Sequence, residues 1–330
     1  MSIYPVLFCG LFLMVSCAVI AFSLRKPSRH YEGPASVSKI YDEWTADPKM
    51  IYYWGNHLHA GYYGQPPERK EFVRAKLDMI DELVRWGIAQ PDPALFERLE
   101  HPILGAEPVH ILDIGCGVGG TAIYLAQRWP KSARITGFTL SRDQARLATS
   151  RARSLGLENV FFLECDAMHH AFAAQSFDIA WSLESEMHMP DKEVFVSEIV
   201  RTLKRDGRVV TATWNVRDHA SIPLTVAENE HVQYLVNEWC HTTFDSIPES
   251  LQLYERFGLQ DVEAADWTTA TLPSWRGAVL VALRDGRGLL RIGLRRSWAS
   301  IRDAYTIMRY DSAFRKGLCV YGLFRGHKPA

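Results

Sequence analysis

The sequence predicts an α/β protein built on a doubly wound parallel sheet, and three observations carry that expectation. From Val109 onward, apolar runs of strand length alternate with helical stretches, the pattern of repeated strand–helix–strand units. The run Ile111-Leu112-Asp113-Ile114-Gly115-Cys116-Gly117-Val118-Gly119-Gly120 breaks from an apolar strand into a glycine turn followed by helix formers. The length of 330 residues is enough for one large α/β domain with additions.

Taken in chain order, the first element is an apolar segment. Ile3 to Leu24 carries no charged residue and has the roughly 20 residues needed to cross a bilayer. Arg25, Lys26 and Arg29 follow it rather than precede it, which argues for an uncleaved anchor over residues 1–24 and keeps the remainder on the cytoplasmic side. Residues 25–105 then read as a linker and cap: a polar stretch from Lys26 to Ser38, and an aromatic-rich one from Tyr41 to Tyr63. The domain proper is expected over 106–330. Its strands are predicted at 109–114, 133–138, 159–164, 177–182 and 207–214, with apolar stretches at 262–267 and 318–324 completing the sheet. Residues 217–260 and 268–317 are too long for simple connections and read as helical lid insertions. The tail from Arg284 to Ala330 holds eleven Lys and Arg against three Asp, interleaved with Leu289, Leu290, Ile292, Leu294 and Trp298. Such a face suits an anionic membrane surface or plain solvent.

The net charge of −1 leaves no nucleic-acid footprint. Six cysteines lack C-x-x-C spacing, so no zinc site or disulfide framework is expected, and a reducing compartment fits. His57 and His59 have no third ligand placed by sequence, so no metal is expected either.

Gly115, Gly117 and Gly120 satisfy G-x-G-x-x-G, which admits NAD and S-adenosylmethionine alike. Asp113 favours the second, because a carboxylate inside an apolar strand needs a partner such as the α-ammonium of that cofactor. So does Thr139, which stands where a dinucleotide enzyme places its ribose acid. After the third strand, Asp166 suits either the adenine amino group or a turn. After the fourth, Glu184 and His188 lie four apart, an acid orienting a general base or a structural salt bridge. The segment Tyr52 to Tyr63 suits a cover over the cofactor.

Several segments together resemble the tocopherol and plastoquinone branch of the class I S-adenosylmethionine methyltransferases, its cyanobacterial-type benzoquinol members above all. They are Tyr41-Asp42-Glu43-Trp44-Thr45, Tyr53-Trp54-Gly55-Asn56-His57-Leu58-His59, Asp113 to Gly120, Gly137 to Ser141, Glu184 to Lys192, Thr213 to Asp218, Ala265 to Thr268, Leu272 to Trp275 and Gly317 to Cys319. The resemblance spans essentially the whole chain and implies a Rossmann-like sheet. It implies that Asp113, Gly115, Gly117 and Gly119 surround the methionine part of the cofactor, that Thr139 and Gln144 meet the ribose, and that Asp166 and Ala167 hold the adenine. The implied reaction is C-methylation of a prenylated benzoquinol ring, phytyl or solanesyl, at a membrane and on its cytoplasmic or stromal side. Expected roles are His188 as base, Glu184 orienting it or touching the cofactor, and His59 in reserve. Glu186 departs from the smaller residue usual before the histidine, and Trp267, Trp275 and Trp298 are candidates for a lipid-facing mouth. Rival readings are another methyl acceptor (γ-tocopherol, a sterol or a small amine), a membrane-bound NAD-dependent oxidoreductase, and a cofactor-binding protein without catalysis.

Overall fold

The computed structural model describes residues 24, 26–47, 54–284 and 294–330. Its centre is β1 (Val109–Ile114), whose alternate side chains serve two cores. Val109 and Ile111 enter one apolar cluster, while Leu112 and Ile114 enter the other. Around it stand β2 (Ala133–Thr139), β3 (Val160–Glu164), β4 (Phe177–Leu183), β5 (Leu203–Val216), β6 (Gln260–Asp266) and β7 (Cys319–His327). The described residues form one seven-stranded sheet in the order β3-β2-β1-β4-β5-β7-β6. The order reverses between β1 and β4, and ligands of open α/β sheets lie outside the strand ends at such a point.

All seven expected strands form, but the sheet is mixed rather than parallel. β7 runs antiparallel to both neighbours, with Arg208–Val216 of β5 facing Cys319–His327. The reason lies in the chain between β6 and β7. It stays over the carboxyl ends of the strands, so β7 must re-enter the sheet from that edge and run backwards.

The helices follow from local signals. Helix α1 (Pro34–Thr45) starts with proline, and α2 (Phe72–Val84) is capped by Glu71, whose carboxylate accepts the Val73 and Arg74 amides. A π-turn at Arg85–Ala89 leads to α3 (Pro93–Glu100), and α4 (Gly120–Arg128) follows the glycine turn. Ser141 caps α5 (Arg142–Ser154), Asp191 caps α6 (Lys192–Thr202), and a capping box of Thr225 and Glu228 opens α7 (Val226–Glu238). Then come α8 (Ile247–Arg256), α9 (Pro273–Arg284) and α10 (Leu294–Arg315).

Two expected insertions are corrected in part. Helix α8 is no lid, since Leu253 and Tyr254 enter the core under α6. Trp275 of α9 and Ile307 of α10 lie around the same cavity as Glu184, which follows β4. The basic tail is not one surface helix: Arg302 is buried against Glu238, Arg315 pairs with Asp311, Arg325 with Glu263, and Lys328 binds the Val200 and Leu203 carbonyls. The Trp298 side chain and the apolar residues 289–292 lie outside what the structure describes, as does nearly all of the expected anchor. Among the described residues, no helix is long and apolar enough to cross a membrane. Just after that segment the chain is docked: Ser28 donates to Glu238 through N (2.7 Å) and Oγ (3.0 Å), and Arg29 reaches Glu43 and Asp303.

The π-turn presses Gly87 onto β5, where an added Cβ would fall on Val210 Cγ1 and 2.8 Å from Cγ2. Gly87→Ala is therefore expected to cost about 1–3 kcal/mol by overpacking, outweighing a helix-propensity gain of about 1 kcal/mol. Chemical denaturation should show Val210→Ala relieving that loss in the double variant, so that the two changes are not additive.

Candidate active site

The carboxyl ends of β1, β2 and β4 border a cavity of about 910 Å³, mouth included. On one side the glycine turn supplies backbone. Gly115 (φ 72°) abuts Ser185, where an added Cβ would collide, and Gly117 (φ 53°) has open space at its Cβ position. Gly119 does not line the cavity. Its left-handed backbone starts α4, and a Cβ there would lie 2.7 Å from Ala148 and 2.8 Å from Phe162, so its requirement is helix–strand packing. Gly120 and Thr121 line the cavity instead, bringing in the amide end of α4.

Asp113 is fully buried there, and its Oδ2 has no hydrogen-bond partner. Burial raises its carboxyl to about 7, and the Ala122 amide eases this only in part. Thr139 donates to Gln144 Oε1 at 2.8 Å, leaving Gln144 Nε2 buried and unbonded. Ala167 lines the cavity. Asp166, between the lining residues Cys165 and Ala167, stands just outside it, and its Oδ1 accepts the Met168 amide at 2.9 Å in a local turn.

Glu184 follows β4 with φ 56°, a left-handed backbone unusual for glutamate and characteristic of functional positions. That backbone breaks the helical spacing expected between Glu184 and His188. The two side chains do not pair. Glu184 Oε1 accepts both the Ala60 amide and the Tyr321 hydroxyl at 2.8 Å, and burial raises its carboxyl to about 7. His188 instead has its Nδ1 3.2 Å from the Cys240 carbonyl and its Nε2 2.9 Å from the Tyr41 hydroxyl. A carbonyl only accepts, so Nδ1 carries the hydrogen and Nε2 accepts from Tyr41. Burial lowers His188 to about 4, keeping it neutral. His59 is likewise tied by Nδ1 to the Ala60 carbonyl, with Nε2 buried and unbonded in the cavity. Glu186 fits its buried place by accepting from Tyr254 at 3.0 Å beside Lys192.

A second cavity of about 850 Å³ adjoins the first. Tyr41, Leu58 and Glu184 line both, forming the border. Its other walls are mainly aromatic: Trp44, Trp54, Trp214, Trp239 and Trp275, with His241 among them. Trp275 thus faces the cavity interior, whereas Trp267 is a core residue packed on Tyr62 and Trp86. Tyr41, Tyr321 and His241 were not singled out by sequence reasoning as site residues. The only signal for Tyr41 was its place in an aromatic motif. No cluster among the described residues has metal-ligand character.

The donor set fits S-adenosylmethionine. An orphan buried carboxylate suits its ammonium, open backbone at Gly117 admits close approach, and the free amide of Gln144 offers a donor. Comparison with known proteins agrees. Residues 111–207 match the family described as a methyltransferase domain. The chain is 36% identical over 317 residues to the 2-methyl-6-phytyl-1,4-hydroquinone methyltransferase of a Synechocystis species, covering 95% of this chain and 94% of that one. It is 31% identical to the chloroplastic tocopherol O-methyltransferase of Arabidopsis thaliana, over 89% of this chain and 82% of that one. A putative sarcosine dimethylglycine methyltransferase from Galdieria sulphuraria shares the fold, with a TM-score of 0.70 at 17% identity over 87% of this chain and 99% of that one. The chain therefore belongs to the S-adenosylmethionine-dependent methyltransferases, in the group that includes the phytyl-hydroquinone and tocopherol enzymes.

Proposed function

We propose that the protein methylates a ring carbon of a prenylated hydroquinone, as in tocopherol biosynthesis, with S-adenosylmethionine as donor. The observation that carries this reading is the aromatic cavity joined to the cofactor cavity across Glu184 and Tyr41. A hydroquinone ring suits its indole walls, and the apolar length of the space suits the first part of a prenyl chain. The relative with 36% identity carries such an acceptor in its name.

In this reading Asp113 holds the cofactor's ammonium, Gly115 and Gly117 its methionine part, Thr139 and Gln144 its ribose, and Ala167 its adenine. When bound, S-adenosylmethionine supplies an electrophilic methyl group. The chain must make a ring carbon nucleophilic, and removal of the adjacent hydroxyl proton does so. Glu184 is the base the geometry favours. It stands at the border of the two cavities, its hydrogen bonds from Ala60 and Tyr321 both fall on Oε1, and its raised carboxyl is matched to neutral pH. Tyr41 gives its proton to His188, so its oxygen faces the border as an acceptor. His188 then acts through Tyr41, as a positioning residue and not as the base. The ring hydrogen of the methylated carbon leaves as a proton when aromaticity returns, which completes the balance.

The apolar segment 3–24 is, in the same reading, a membrane anchor with the site on the side of Arg25, Lys26 and Arg29. Docking of Ser28 on Glu238 supports it, because this fastens the chain beside α7 and α10, the helices around the aromatic cavity. Exposed Ile301 and Met308 on α10 add apolar surface there.

Glu184→Gln should lower kcat by about 10²–10⁴-fold, with a smaller effect on cofactor affinity. Wild-type kcat should rise with pH toward about 7 and then level, and the variant should lose that limb. Turnover retained in the variant with the same pH profile would remove Glu184 from the mechanism. His188→Asn should lower turnover less than Glu184→Gln and leave the cofactor Kd unchanged.

Asp113 makes cofactor binding pH-dependent. Its carboxyl sits at about 7 in the free protein, yet an ammonium partner needs it ionised. Affinity should fall up to roughly tenfold per pH unit below 7, and calorimetry at pH 6 in buffers of different ionisation enthalpy should register proton release. Asp113→Asn should bind more weakly and without that slope; a persisting slope would assign it elsewhere. Without ligand the sign reverses for stability. A raised carboxyl contributes most below its unfolded value of about 4, and the contribution is lost as pH climbs through 7.

A further inference from the structure

His241 lines the aromatic cavity and has no part in the step above. Its Nδ1 lies 3.2 Å from the Tyr310 hydroxyl, and that hydroxyl donates to the Leu235 carbonyl at 2.9 Å. A carbonyl only accepts, so the single proton of Tyr310 is committed there, and His241 Nδ1 must carry the hydrogen between the two side chains. In a neutral imidazole this leaves Nε2 bare. Burial, with a smaller contribution from the neighbouring His188, holds the ring well below its ordinary value, so it stays neutral. The two histidine rings are 4.5 Å apart and share one tautomer, but they differ in what remains. His188 has its Nε2 occupied by Tyr41, whereas no described side chain bonds His241 Nε2. Around it the cavity wall is mainly aromatic: the indole N–H groups of Trp44, Trp214 and Trp239 are buried without partners, while Glu184, Asp303 and Ser274 are engaged with Ala60 and Tyr321, Arg29, and Gly61. The chamber thus sets the bare Nε2 of His241 among unspent indole donors, and an acceptor with donors is what a hydroxyl requires on each side.

We propose that His241 Nε2 accepts the hydrogen bond of the acceptor's second hydroxyl, on the ring position opposite the one served by Glu184, and so sets which ring carbon meets the donor. The assignment rests on the prenylated-hydroquinone reading. A ring held by one hydroxyl can pivot and present either carbon flanking it. A second hydrogen bond across the ring removes that freedom.

The test compares a prenylated hydroquinone with the matched prenylated monophenol that lacks the far hydroxyl, using the full chain. For the hydroquinone, His241→Phe should raise KM by about 10–100-fold and spread methylation over more than one ring carbon, since the loss of a hydrogen bond to a buried polar partner is strongly discriminating. KM for the monophenol should stay unchanged. Tyr310→Phe, which removes the hydroxyl that fixes the His241 tautomer, should raise KM for the hydroquinone by a smaller factor and again spare the monophenol; it carries the test if His241→Phe does not fold. Equal rises for both substrates, or no rise for either, overturn the assignment. Absence of wild-type turnover on both, with cofactor binding intact, instead overturns the acceptor reading beneath it.

Discussion

The Glu184 carboxylate is the constraint on which the rest of the site depends. Its left-handed backbone at the end of β4 turns the side chain toward two partners from distant parts of the chain, the Ala60 amide and the Tyr321 hydroxyl. One residue thereby registers the cap segment, the parallel strands and the reversed strand β7 against each other. The cost is an ionisable group out of water, expressed as a raised carboxyl. A second buried ionisable group supports the same cap. Lys76 on α2 donates to the Trp54 and His57 carbonyls at 2.9 and 2.5 Å, fixing the backbone that leads into Ala60. The stretch from Trp54 to Ala60 is therefore fastened at both ends, by the Lys76 amine at its start and the Glu184 carboxyl at its close.

The cofactor half of the site was legible because local rules govern it. An apolar strand, a glycine turn and a following helix need only neighbouring residues, and a lone acid in such a strand announces an absent cation. Thr139 and Gln144 belong to the same class, since a strand end and a helix start place them five residues apart. Gly119 and Asp166 mark the limit. Both sit in the right turns, yet Gly119 is required by close packing and Asp166 uses its Oδ1 in an Asx turn, features that sequence spacing does not separate from ligand contact.

The acceptor half was far less legible. Tyr41, His241, Trp275 and Tyr321 converge from four separate segments of the chain, and nothing in their local sequence distinguishes them from ordinary core aromatics. The pairing of Glu184 with His188 failed for a specific reason: one residue with φ 56° cancels the helical spacing on which it relied. Strand direction was hidden in the same way. An apolar run such as Leu318 to Phe324 reads identically in either sense, and only its partners β5 and β6 decide.

The position of β7 also dictates an order of assembly. It comes after every other strand in the chain, yet lies inside the sheet between β5 and β6. During synthesis β5 therefore waits as an open edge, with β6 unable to join the sheet, until β7 has emerged and slotted between them. Tyr321 arrives on that same strand, so Glu184 gains its hydroxyl partner only when the sheet closes. A nascent chain can hold a glycine turn early, but it cannot present a finished chamber to a reactive methyl donor before the fold is complete.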